Sequence, residues 1–413
     1  MPQNEKLASL MKEYERCKAA GLKLDMSRGK PCREQLDLSE GLLTVLHSND
    51  QTLCDGFDVR NYGVLSGLPS MRALFADLTG IDASHIFVGG CSSLTMMYDV
   101  FARNMQFGVL PGLTPWGRQG EIFFLCPSPG YDRHFAVSEC FGVKMLTVPM
   151  RADGPDMDAV EEAVKDPRVK GIWCVPKYSN PTGVTFSPET VRRFADLEPA
   201  AKDFRIFWDN AYMIHDLCDD GDELSNLYTE LEKRGKTDMA YIFTSFSKVT
   251  FAGGSVAMMA TGENNMAHAM KSIRCQLICS DKVNQLRHVL FFKNADAVRA
   301  HMKKHAAILR PKFEAVLNVF EKELSDIARW SHPKGGYFID LRLPEGTARR
   351  TYELCREAGV TLTPCGATYP YGIDPEDSDL RIAPSLPPVD DLVDAAKILA
   401  LCAHIACAER EAQ

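Results

Sequence analysis

The chain has 413 residues, 45% hydrophobic and 25% charged, which is the make-up of an ordinary globular protein of two or three domains. Its 47 basic and 55 acidic residues leave a net charge of −8, with lysines and arginines scattered rather than bunched, and this speaks against nucleic-acid binding. Fourteen cysteines without a Cys-x-x-Cys pair read as small buried hydrophobes of a reducing compartment; with no apolar run of transmembrane length and no signal-like N-terminus, a cytoplasmic protein away from membranes is expected.

In chain order, residues 5–20 predict an amphipathic helix with Leu7, Leu10, Met11 and Tyr14 on one face, ended by Gly21. Residues 24–32 are irregular. Arg28, Gly29, Lys30 and Pro31 in a row read either as a turn or as a flap whose backbone or Arg28 meets an anionic substrate. Tyr62 stands beside a glycine-rich loop ahead of a helix over 69–78 closed by Gly80, as a core residue or as a tip that reaches a polar ligand. A strand at 86–88 runs into Gly89, Gly90, Cys91 and Ser92. Ser92 there serves either as an ordinary N-cap or, with the helix dipole and free N–H groups, as part of an anion site.

A strand over 121–126 leads into the turn PSPGYDRHF, where Tyr131 is placed to stack on a flat ring. After VKMLTVPM, a helix over 156–164 and the buried strand GIWCVP, the turn Asn180-Pro181-Thr182-Gly183 again lies past a strand end, and the Asn180 amide suits a phenolic oxygen. A helix around 188–198 precedes RIFWDNAYMIHDL, which delivers Asp209 at the end of a strand with Tyr212 three residues on. The stretch 241–260, YIFTSFSKVTFAGGSVAMMA, then places Lys248 among Thr244, Ser245 and Ser247 and before Gly253 and Gly254. Hydroxyls and glycines suit a phosphate, and a lysine of lowered pKa can form a Schiff base with a carbonyl cofactor. Pyridoxal 5'-phosphate meets both demands, with Asp209 as the acid for its ring nitrogen. Strands and helices alternating from about 86 to 260 predict an α/β protein with a mainly parallel sheet and helices on both faces.

Residues 264–292 read as helical with Arg274 and Arg287, followed by a long helix near 296–326, short strands around 332–343, a helix near 348–358, the strand VTLTPC and a closing helix over 389–409. His301 and His305 are one helical turn apart, but lysines lie between them and no third ligand is evident, so no metal is expected.

Taken together, Gly89 to Ser92, Tyr131 after Pro129-Gly130, Asn180-Pro181-Thr182-Gly183, Asp209-x-x-Tyr212, Ser245-x-Ser247-Lys248 and LRIAPSL with Arg381 resemble the class I aminotransferases of pyridoxal-phosphate fold type I, over roughly residues 20–400. The wording WDNAYMIHDL, SFSKVTFAGG and DKVNQLRH resembles bacterial aspartate aminotransferases of subgroup Ic. The resemblance implies a mainly parallel seven-stranded sheet flanked by helices, plus a smaller α+β domain, with an N-terminal segment over 1–50, a cofactor domain over 51–292 and a small domain over 293–413.

It also implies that Lys248 carries the cofactor and shuttles a proton, that Asp209 pairs with the pyridine nitrogen, that Asn180 and Tyr212 hold the ring oxygen, and that Tyr131 stacks on the ring. Gly90, Cys91, Ser92, Ser245, Ser247 and a Tyr62 from the partner of a homodimer would hold the phosphate. Arg381 would clamp the α-carboxylate of an amino or 2-oxo acid, near Asn180, Gly29 and Arg28. Aspartate and 2-oxoglutarate are the implied substrates; aminotransferases of alanine, aromatic or aminoadipate specificity, a β-lyase, and a non-catalytic regulator are the alternatives. The chain departs from the family at the position of its usual phosphate-binding arginine, which falls on Ser255 or Val256, and Arg274 is the candidate replacement.

Overall fold

The computed structural model describes residues 3–412. Seven strands form its central sheet: β1 Ile86–Val88, β2 Phe123–Ser128, β3 Lys144–Arg151, β4 Val169–Cys174, β5 Arg205–Asp209, β6 Ala240–Ser245 and β7 Ala257–Thr261. They lie in the order β1-β7-β6-β5-β4-β2-β3. All point the same way except β7, which pairs antiparallel with both β6 and β1. An eighth strand of two residues, Gly154–Pro155, folds back antiparallel on the end of β3 and extends the expected seven.

The strands are apolar because both faces are covered. β4, β5, β6 and β7 are buried at every residue. Alternate side chains therefore fill two separate layers. Phe124, Trp173, Phe207 and Phe243 pack on one face with Phe101 and Trp116, while Leu125, Ile172, Ile206 and Trp208 pack on the other with Phe186 and Phe194. Each such large side chain contributes about 1.5–3 kcal/mol when removed from water. The helix Pro188–Asp196 shows how the cover is built: Pro188 opens it, Ser187 Oγ accepts from the Thr190 N–H at 3.1 Å, and Val191, Phe194 and Ala195 face inward.

A further core gathers the C-terminal part of the chain with the N-terminus. The helices Ala295–Glu323 and Val389–Glu411 pack with the antiparallel strands Arg329–Trp330, Ile339–Arg342 and Asp379–Ile382. Tyr14, 2% exposed, docks here with Leu7, Leu10 and Met11 beside it, as the helical periodicity requires. The strand Leu24–Asp25 pairs parallel with Val360–Thr361. Val175, Tyr178 and Tyr212 belong to this core as well, so it abuts the carboxyl ends of the sheet.

Several boundaries differ from expectation. The 264–292 stretch is two helices, Glu263–Gln276 and Lys282–Phe292, the second opened by Asp281, whose side chain accepts from the Asn284 N–H. VTLTPC yields only Val360–Thr361; beyond them the Thr363 hydroxyl meets the Ser27 carbonyl and Arg381 instead of continuing the ladder. His301 and His305 sit in a hydrogen-bonded cluster, and among the described residues no group of three metal-binding side chains occurs. No described helix is long and apolar enough to cross a membrane.

Candidate functional site

Because β1, β2, β4, β5 and β6 run the same way, the segments after them meet at one edge of the sheet, and this topology brings Ser92, Tyr131, Asn180, Asp209 and Lys248 together. Asp209 is the last residue of β5 and 3% exposed. Its Oδ2 lies 3.1 Å from His134 Nε2, whereas its Oδ1 is buried without a partner. An unpartnered buried carboxylate oxygen costs about 1–3 kcal/mol or more, so it marks a place where a ligand donor is expected. The His134 ring is itself fixed by stacking on Trp173, with centroids 4.6 Å apart.

Lys248 is half-buried, with Nζ over the Tyr212 ring at 4.8 Å from its centroid. Loss of water around the amine lowers its pKa, and the charge of Asp209 acts in the opposite direction. The Tyr212 hydroxyl is held well above its ordinary range, first by burial and then by Tyr131, Tyr337 and Asp209, so the phenol stays protonated and able to donate. Burial likewise pushes Tyr131 up, with Asp209 and Asp132 adding to it.

The turn after β1 fits a phosphate. Ser92 occupies the N-cap position of the helix Ser93–Phe107 but its side chain makes no cap hydrogen bond, so its hydroxyl and the first N–H groups are available. A Cβ added at Gly90 would meet nothing within 4 Å, which describes an open cradle. Ser247 Oγ donates to the Cys91 carbonyl at 3.1 Å and accepts from Ser245 Oγ at 3.0 Å, tying the lysine loop to this turn. Ser255 is 2% exposed and donates to the Val256 carbonyl. Arg274 is exposed in the last turn of its helix, and no hydrogen bond or ion pair among the described residues links it to the cradle.

Arg381 is 8% exposed. Its Nη1 donates to Asp132 Oδ1 at 2.8 Å and Asn180 Oδ1 at 3.2 Å, its Nε donates to Thr363 Oγ1 at 3.2 Å, and its Cζ lies over the Phe338 ring, 5.0 Å from the centroid. Since a guanidinium only donates, the Asn180 oxygen faces Arg381 and its NH₂ is left to donate elsewhere. Gly29 is placed by the same ring: a Cβ there would come within 2.4 Å of Phe338 Cζ. Arg28 is exposed, and Tyr62 is 75% exposed.

Asp132, His134, Thr363, Phe338 and Tyr337 were not singled out from the sequence. His134 carried a usable signal, since it lies one helical turn beyond Tyr131 and therefore on the same side. Thr363 and Phe338 carried none, because each stands just outside a short strand and no local pattern shows that it will meet Arg381.

Matching against known families, the model described as aspartate amino-transferase covers residues 3–413. A Mycolicibacterium smegmatis protein named as an aminotransferase, without a substrate, is 45% identical over 403 residues, covering 96% of this chain and 94% of its own. An aspartate aminotransferase of Corynebacterium glutamicum is 44% identical over 405 residues, 98% of this chain and 94% of its own. The crystal structure of an aspartate transaminase from the same species superposes with a TM-score of 0.96 at 43% identity, covering 99% of this chain and 97% of that one.

Proposed function

The chain belongs to the aspartate amino-transferase family and is an aminotransferase, and on that premise we propose that it moves the amino group of L-aspartate to 2-oxoglutarate with pyridoxal 5'-phosphate as cofactor. The observation that carries the cofactor reading is the unpartnered Asp209 Oδ1, buried beside a desolvated Lys248 amine. The residues fit the group: Asp209 would hold the pyridine nitrogen, Asn180 and Tyr212 the ring oxygen, Tyr131 a ring face, and Gly90 to Ser92 with Ser245 and Ser247 the phosphate. When bound, the cofactor supplies an electron-withdrawing ring that stabilises negative charge at the substrate α-carbon.

The chain's own residues do the rest. Lys248, its pKa lowered by burial, would hold the cofactor, and its amine would accept the proton of the substrate α-carbon and give it up again. Arg381 would fix the α-carboxylate so that the α-hydrogen faces Lys248. His134 keeps Asp209 oriented through their 3.1 Å contact. The name of the Corynebacterium glutamicum relative supports aspartate, and Arg28, Lys30 and Arg287 are the candidates for the distal carboxylate. The exposed Tyr62 supports a homodimer in which it reaches the partner's phosphate cradle.

An absorbance spectrum of the purified protein tests the reading. Aspartate should shift the cofactor band, 2-oxoglutarate should reverse the shift, and Lys248→Ala should abolish it. A band moved only by another amino acid removes the aspartate assignment, and absence of any band removes the role of Lys248.

A further inference from the structure

We infer that Asp132 is an internal carboxylate that occupies the substrate-clamping arginine in the resting enzyme and yields it when a carboxylate substrate binds. The inference rests on the reading of Arg381 as the α-carboxylate clamp.

Asp132 is the first residue of the helix Asp132–Cys140, directly after Tyr131. The described hydrogen bonds of Arg381 engage Nη1 twice, with Asp132 and Asn180, and Nε once, with Thr363, leaving Nη2. A carboxylate that meets a guanidinium bidentately needs two parallel N–H groups, from Nη1 with Nη2 or from Nε with Nη2. Some present partner must therefore give way.

Thr363 is 6% exposed and at the same time donates to the Ser27 carbonyl at 2.7 Å; Asn180 is 3% exposed. Moving either leaves a buried polar group unpaired. The Asp132 side chain is 32% exposed, so water receives its carboxylate when it turns away. Phe338 lies against the guanidinium plane, so Arg381 stays while its partner moves. Two carboxylates on one cation also repel, which drives the exchange in the same direction. Asp132 thus keeps a buried arginine paired between turnovers and weakens every carboxylate ligand by the same competition. Because it acts through Arg381, it sets substrate affinity rather than the chemical step.

The test uses the pyridoxal-phosphate-loaded enzyme and its Asp132→Asn variant, titrated calorimetrically with acetate, succinate and methylamine, alongside steady-state kinetics. Asp132→Asn should bind both carboxylates about tenfold more tightly, the low end for a charge-assisted hydrogen bond at a partly exposed site. KM for the amino acid should fall with kcat little changed, and the carboxylate-free methylamine should bind as before. Unchanged or weaker carboxylate binding in the variant, with the parent binding normally, overturns the proposal alone. A parent enzyme that binds neither carboxylate overturns it together with the clamp role of Arg381, and equal tightening of methylamine overturns it by pointing to a general loosening of the pocket.

Discussion

Two buried polar clusters share the loop that carries Lys248, and they are built in opposite ways. In the site, Asp209 Oδ1 has no partner and Ser92 caps nothing. Behind the loop, Gln35 Nε2 bonds Tyr337 Oη and His305 Nδ1 at 2.9 Å, His305 lies 3.1 Å from His301, and His301 meets the Val249 carbonyl at 2.9 Å. Ser39 completes that cluster from the N-terminal segment. The inner cluster satisfies itself and anchors the loop backbone; the outer one leaves atoms open for a ligand. The cost of an unpaired buried group explains the contrast, because only a bound molecule makes the open cluster affordable.

The two clusters differ most at Asp209. Asp209→Asn removes the charge expected on the pyridine nitrogen, and kcat should drop by about 10²–10⁴, the range for losing a positioned proton-handling group, with thermal stability barely altered. A variant that unfolds while its residual activity per folded molecule stays normal would class Asp209 with the inner cluster. Gln35→Leu attacks the other side. It strands the Tyr337 and His305 partners, so urea denaturation should show a loss of about 1–3 kcal/mol, while cofactor affinity is spared.

Acid sharpens the same division. Burial, with His301 adding to it, holds His305 down to about 3 from its ordinary 6.5. The unfolded chain then takes up this proton before the folded one does, so the stability contribution is complete above pH 6.5 and is lost as pH falls toward 3. The expected slope is at most about 1.4 kcal/mol per pH unit for this residue, and His305→Gln should flatten it in denaturation series run between pH 6.5 and 4.5. The smallest effect is expected for Ser92→Ala. An ordinary N-cap serine would cost about 1 kcal/mol of stability on removal. Here no cap bond exists, so the melting temperature should hold while cofactor affinity, measured by equilibrium dialysis, weakens severalfold.

Legibility followed sequence distance. Ser92, Tyr131, Asn180, Asp209 and Lys248 stand out because each follows an apolar strand, and a local pattern suffices to see it. His134 lies within reach of the same reasoning, one helical turn beyond Tyr131. The Arg274 replacement for the absent phosphate arginine rested on charge alone, and that residue is exposed at the end of its helix. The break at 277–281 and the short pairing at Val360–Thr361 were hidden because long apolar periodicity does not record where a ladder or helix stops.

The sequence by itself determined the alternation of strands and helices, the apolar strands that must be covered on both faces, and the order of polar groups at their carboxyl ends. Tertiary structure alone decided which distant groups touch: Arg381 with Asp132 across 249 residues, Gln35 with His305 across 270, His134 with Asp209 across 75. The reason is that periodicity encodes which face of an element is buried, whereas the partner met there depends on how the C-terminal core packs against the edge of the sheet.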